Sequence, residues 1–296
     1  MSTPFDHRMS VHSTDDEFLT NALPFLAEAL NSPEEPAPAA IASPHHLALL
    51  RDTLGTDAQH VTLIDHTDWY TGSAANAVAQ GAGYLAAHAG PGGRIHLLME
   101  PVWNGRAGRS PRETTEWIRY EALANILFAP LATTALCAYD ARTAGPAIID
   151  AARRAHPDTG VYEEPVRLVA ELNAVPLAPP PPDAELLTDL AADAVRLGAQ
   201  ARGLAPADAE LFATAVAEAA QAVGQRAGTA LLWGRDTHCV CELRSERRVD
   251  DPLAGFVPPE TTDLESGQGL WYARQVCAYV DVRDDRYGST VRLQYA

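Results

Sequence analysis

Apolar residues recur three and four positions apart over residues 15–30, at Phe18, Ala22, Phe25, Leu26, Ala29 and Leu30. With Thr14 as N-cap this predicts an amphipathic helix. Pro24 lies inside it and predicts a kink or a restart. Further helices are predicted over 44–54, 74–87, 114–128 and 146–154. Short apolar runs between them predict strands over 7–12, 60–65, 94–99 and 133–139, with another apolar run at 37–43. Strands alternating with helices predict a parallel sheet covered on both faces. Ligands of such sheets gather at the carboxyl ends of strands, which here hold Asp65, Glu100 and Asp140.

The rhythm changes after Leu177–Asp183, LAPPPPD, where four successive prolines predict a stiff extended connector. Beyond it, helices are predicted over 184–202 and 206–227 and strands over 229–233 and 238–243. A loop through 250–266, a helix over 270–278 and strands over 279–283 and 290–294 complete the chain. Helices first and strands later predict an α/β sandwich, with helices on one side of a mixed sheet. The expected division is a domain over 1–165, a Pro-rich linker over 166–183 and a second domain over 184–296.

A length of 296 residues suits two domains, and 47% hydrophobic residues can fill both cores. The formal net charge of -17 disfavours a broad basic surface for nucleic acid or anionic membrane. All 22 basic residues are Arg, which removes a Walker-A lysine, a Schiff-base lysine and a kinase strand lysine together. Cys137, Cys239, Cys241 and Cys277 contain no C-x-x-C pair, so reduced thiols are expected rather than a disulfide or zinc framework. With a polar opening segment and no apolar run of spanning length, a soluble cytoplasmic protein is expected.

Three short motifs fail on context. Gly81-x-Gly83-x-x-Ala86 matches a dinucleotide fingerprint but lies within a predicted helix. His238-Cys239-Val240-Cys241 alternates on a strand, which makes the two thiols core groups on one face. His45-His46 opens a helix and reads as a surface pair, because adjacent helical residues do not face one another.

The ordered set of segments in the second half carries a resemblance. Ala215–Ala227 (AVAEAAQAVGQRA), Asp251-Pro252-Leu253-Ala254-Gly255, Gly267-Gln268-Gly269 with the helix after it, and Gly288-Ser289-Thr290 follow one another in the chain. This set resembles the anti-sigma-factor serine kinases of the histidine-kinase-type ATPase (GHKL, Bergerat-fold) superfamily. The resemblance implies ATP as ligand and a role for each match. Glu218 acts on the attacking hydroxyl, Asp251 accepts the adenine amino group, Gly255 closes on the ring, Gly267 and Gly269 cradle phosphates, and Thr290 supports the adenine. Four residues after Glu218, where the family carries the Mg²⁺-anchoring Asn, stands Ala222. Alanine has no oxygen to give, and nucleotide-bound Mg²⁺ takes only one or two protein ligands. Phosphoryl transfer is therefore not expected, and the domain reads as a pseudokinase with no required cofactor and no metal.

The first half resembles the MEDS (DcmR-type) sensory domain, which in actinobacterial regulators is joined to this same kinase-like domain. The resemblance rests on Glu100-Pro101-Val102-Trp103, on Glu116–Asn125, on Cys137-Ala138-Tyr139-Asp140, on Ala155-His156-Pro157, and on a first histidine motif partly kept at Asp6-His7 and His12. It implies a RecA-like α/β fold used for sensing. The expected ligand site is Asp65, Trp69, Tyr70, Glu100, Trp103, Glu121, Asn125, Cys137, Tyr139 and Asp140, where aromatics and carboxylates suit a small organic ligand. The function expected is that of a cytoplasmic regulator binding a sigma factor or an anti-anti-sigma (STAS-type) protein, with a homodimer implied. The alternatives are an active serine kinase, and a ligand sensor whose second domain is a dimerisation scaffold.

Overall fold

The computed structural model describes residues 5–32, 34–70, 72–88, 94–101, 103, 110–188, 190–224, 230–236, 238–257 and 269–295. The chain divides into two compact units, residues 1–172 and 173–296. The division falls inside the range read as linker, and part of that range is a helix, α8 (Pro165–Ala174).

The first unit is built on a five-stranded, all-parallel sheet in the order β1-β5-β4-β2-β3. Its strands are β1 (Phe5–His12), β2 (Ala39–Ala42), β3 (Thr62–Asp65), β4 (Ile95–Met99) and β5 (Thr133–Asp140). The predicted strands and the apolar run at 37–43 are all present. The interior strand β5 is buried at all eight positions, as a strand covered on both faces must be.

Helices α1 (Asp15–Leu30) and α2 (Pro44–Leu54) close one face around Phe18, Leu26, Leu50, Leu98, Leu136 and Ala138. Thr14 caps α1 by accepting from the Glu17 N–H at 3.2 Å, while Glu17 Oε2 accepts from the Ser13 N–H at 2.6 Å. The helix runs through Pro24 without a restart. Short α3 (His66–Trp69) precedes α4 (Ala74–His88), which holds the Gly81–Gly83 string inside a helix as expected. Then come α5 (Pro111–Leu127), short α6 (Ala141–Ala144) and α7 (Pro146–Ala155).

The second unit carries a five-stranded antiparallel sheet in the order β6-β7-β8-β10-β9. Its strands are β6 (Glu185–Leu187), β7 (Ala230–Arg235), β8 (His238–Ser245), β9 (Tyr279–Asp285) and β10 (Gly288–Tyr295). Helices α9 (Ala192–Ala201), α10 (Pro206–Ala222) and α11 (Gly269–Val276) share one core with the sheet residues Cys239, Cys241, Leu243, Val291 and Leu293. The thiols of β8 thus face inward together, as the alternation predicts. Two expectations fail here: the sheet is antiparallel and not mixed, and residues 184–202 are not a single helix. Glu185–Leu187 instead pairs with β7 at the sheet edge, and the helix begins only at Ala192. Backbone pairing with an available edge outweighs helical spacing in so short a segment.

Candidate functional site

Side chains alternate across a strand, and this sorts the expected ligand residues into two places. On β5, Ala135, Cys137 and Tyr139 point to one face, while Leu136, Ala138 and Asp140 point to the other. His7 lies opposite Ala135 and His12 opposite Asp140 in the β1–β5 register. On β4, Leu97 and Met99 share the first face, and Glu100, just past the strand, falls on the second.

On the first face, Glu121 and Asn125 of α5 join Cys137 and Tyr139 around His7 and His156. Asn125 Nδ2 donates to the Ala155 carbonyl at 2.7 Å, which fixes its Oδ1 as acceptor for His7 Nδ1 at 3.0 Å. His7 Nε2 is then the lone-pair nitrogen, and Cys137 Sγ–H donates to it at 3.4 Å. His156 Nδ1 donates to the Ala152 carbonyl at 2.8 Å, which turns its Nε2 toward Glu121. Tyr139 donates its hydroxyl to Glu121 Oε1 at 2.8 Å. Glu121 Oε2 stands 3.7 Å from His7 Nε2 and 3.9 Å from His156 Nε2, beyond hydrogen-bond reach of both.

Burial governs protonation here. It pushes the His7 pKa well below that of a free imidazole, helped by the nearby His156 and opposed by the Asn125 bond. It raises Glu121 above the ordinary carboxyl range against the pull of His156 and Tyr139, and it lifts Cys137, Tyr70, Tyr120 and Tyr139 well above theirs. Cys137 is therefore a thiol, not a nucleophilic thiolate.

His7, Glu121 and Cys137 form one wall of a cavity whose other walls include Trp69, Tyr70, Leu85, Met99, Tyr120 and Phe128. The lining is mainly apolar and the free space is small, so a ligand larger than a water must displace lining side chains, and a nucleotide does not fit. The tetrad His7, Glu121, Cys137 and His156 also offers nitrogen, oxygen and sulfur atoms all within 4.8 Å of one another, a donor set that zinc accepts.

The family pattern described as MEDS, MEthanogen/methylotroph, DcmR Sensory domain, matches residues 6–157. The chain belongs to the MEDS family. No curated protein and no solved structure matches it. His7 and His156, which complete the tetrad of this MEDS domain, were not among the expected site residues. Both stand in segments that carry the resemblance, Asp6-His7 and Ala155-His156-Pro157, but only the β1–β5 register and the fold bring them to α5.

The remaining expected residues lie elsewhere. Glu100 and Asp140 are on the second face, with His12 and His46. Asp65 caps α3, its Oδ1 accepting from the Thr67 N–H at 2.8 Å and hydroxyl at 2.7 Å, which draws its pKa down. Trp103 is buried beyond β4. His46 is 2% exposed and not half of a surface pair, because α2 turns it onto the sheet while His45 faces solvent.

In the second unit, Glu218, Gly255 and Gly269 converge. A Cβ on Gly269 would lie 2.2 Å from the Glu218 carbonyl oxygen, and one on Gly255 would lie 2.6 Å from the Leu270 carbonyl oxygen. Both glycines therefore serve close backbone packing. Arg274 ties the 250–257 loop to α11 by donating to the Ala254 carbonyl at 2.9 Å, and it lies over the Phe256 ring at 4.0 Å. Asp251 is exposed and accepts from the Leu253 N–H at 2.8 Å in its own turn. Thr290, next to inward-facing Val291, points to the sheet face away from α10 and α11. Gly267 lies outside the described residues. Among the described residues no helix is long and apolar enough to cross a membrane.

Proposed function

We propose that the chain is a regulatory sensor in which a small neutral organic molecule enters the cavity between the parallel sheet and α4 and α5. The observation that carries this reading is the meeting of His7, Glu121 and Cys137 at the polar end of an apolar cavity. His7 Nε2, His156 Nε2 and Glu121 Oε2 converge at distances too long for direct bonds. A ligand hydroxyl or amide donor fits among them, and its hydrocarbon part lies against Tyr70, Met99 and Phe128. The neutral state of His7 and Cys137 favours an uncharged ligand, since burying an ion here costs far more.

The output is a change in binding to a sigma factor or an anti-anti-sigma (STAS-type) protein through the C-terminal domain, without phosphoryl transfer. Two observations support that part. Ala222 stands where Mg²⁺ would need an oxygen, and Thr290 points to the sheet face away from the helix that carries Glu218.

Thermal melts of the full chain with short-chain alcohols, ketones and amides test the sensor reading. At least one compound raises Tm in the natural chain and not in Ala124→Leu, which fills the cavity. Incorporation of labelled ATP phosphate into an STAS-type partner, abolished by Glu218→Ala, would reject the pseudokinase part.

A further inference from the structure

The second face of the parallel sheet holds a cluster that the sensor reading does not use. His12, the last residue of β1, and His46, on the first turn of α2, are 1% and 2% exposed. Their ring centroids lie 5.2 Å apart, and Phe18 stacks on His46 at 4.0 Å. Glu100, just past β4, takes His46 Nδ1 at 2.9 Å and the Ser43 N–H at 2.8 Å on one oxygen. One atom from each of His12, His46 and Glu100 lies within 4.8 Å of the others.

The polar accounting there does not close. Both ring nitrogens of His12, Nε2 of His46 and Oδ1 of Asp15 are buried without a hydrogen-bond partner. An imidazole always carries at least one N–H, and an unmet buried donor costs about 1–3 kcal/mol. Asp140 offers no relief, because Arg142 holds both its oxygens at 2.9 and 3.1 Å through Nε. The cluster stands at the carboxyl ends of β1, β4 and β5. The connection after β2 passes to the α2 face and that after β4 runs to α5, a divergence of the kind at which open α/β sheets take ligands.

We propose that this cluster binds a divalent first-row transition cation through one nitrogen each of His12 and His46 and one oxygen of Glu100. Ligands of a tetrahedral zinc lie about 3.3 Å apart, so side-chain rotation within the cluster brings the three atoms to bonding distance. The cation displaces the proton shared by His46 and Glu100. Two imidazoles and a carboxylate suit zinc, cobalt or nickel and not the hard, oxygen-seeking Mg²⁺ or Ca²⁺. Ser43 and Phe18 hold the carboxylate and the ring in place. Asp15, with Oδ1 3.6 Å from His46 Nε2, and exposed His45 line the way in from solvent.

The site is on the opposite face of the sheet from the Cys137 cavity, so the two ideas fail separately. The test is titration of the metal-free full chain with Co²⁺ followed by absorption, and with Zn²⁺ followed by calorimetry. We expect one equivalent per chain, a Co²⁺ spectrum without a thiolate charge-transfer band, and affinity reduced at least about tenfold in His46→Gln and in Glu100→Gln but kept in Cys137→Ser. Absence of binding, a thiolate band, or affinity lost only in Cys137→Ser would overturn the proposal. If the histidine and glutamate variants do not fold, Zn²⁺-induced shifts of the ring nitrogens in the natural chain decide. Shifts at His12 and His46 support the site; shifts confined to His7 and His156 reject it.

Discussion

Asn125 holds His7 in one tautomer: its amide oxygen accepts the Nδ1 proton at 3.0 Å while its amide nitrogen is spent on the Ala155 carbonyl at 2.7 Å. That leaves His7 Nε2 as an acceptor toward Cys137 and the cavity. Asn125→Leu leaves a buried imidazole donor and a buried carbonyl unmet. Denaturant unfolding should register a loss of about 1–3 kcal/mol, and Asn125→Asp should not restore ligand-induced stabilisation.

The pH dependence of stability follows from the same ring. Burial, and then His156, holds the folded-state pKa of His7 well below the unfolded value of about 6.5. Between those two values the unfolded chain binds the extra proton, so stability is complete above about pH 6.5 and declines as pH falls toward the folded pKa. Urea unfolding from pH 7.5 to 5 should show this slope, and His7→Gln should lower it by up to ~1.4 kcal/mol per pH unit. His12, also shifted down by burial and His46, keeps part of the slope in that variant.

All four cysteines are buried free thiols. Desolvation raises Cys137 well above the ordinary thiol range, Cys239 to about 11 and Cys277 to about 12, and it raises Cys241 as well. Because only the thiolate attacks, a disulfide reagent at pH 8 should find almost no fast-reacting thiol in the native chain. All four should react in denaturant. A fast native thiol that slows on ligand addition would place Cys137 closer to solvent than the cavity walls allow.

On the outer face of the second sheet, Arg292 donates Nε to Glu242 Oε2 at 3.0 Å and a second N–H to the Ala178 carbonyl at 2.7 Å. Both residues are buried. Removing one partner strands the other charge, so Glu242→Ala should cost about 3–5 kcal/mol, while Glu242→Leu with Arg292→Met should recover most of it. Unfolding of the single and double variants checks the sign.

Much of the fold is legible in the sequence because its strands are short apolar runs separated by well-capped helices. Thr14 marks a helix start that the structure keeps, accepting a backbone N–H. Residues 184–202 mislead because Leu186 and Leu187 sit at helical spacing from Leu190, yet the edge of β7 takes their backbone. The ligand site is half legible. Cys137, Tyr139 and Glu121 lie within the motifs, but so do Glu100 and Asp140, and a motif does not assign its residues to opposite faces of the sheet. His156 lies in a motif and His46 near a helix start, yet both reach their clusters only through the crossing of helices over the sheet.

The cavity is tested most directly through its methionine. Of the two methionines among the described residues, Met99 lines the cavity, with Met9 on the edge strand β1 as an internal reference. Methyl-labelled methionine NMR of the full chain, titrated with short neutral alcohols, ketones and amides, reads occupancy at that wall. A saturable shift of the Met99 methyl with Met9 nearly still, lost in Ala124→Leu, is the predicted result. Movement of neither methyl with any compound, or a Met99 shift that survives filling of the cavity, would contradict a ligand between the sheet and α5.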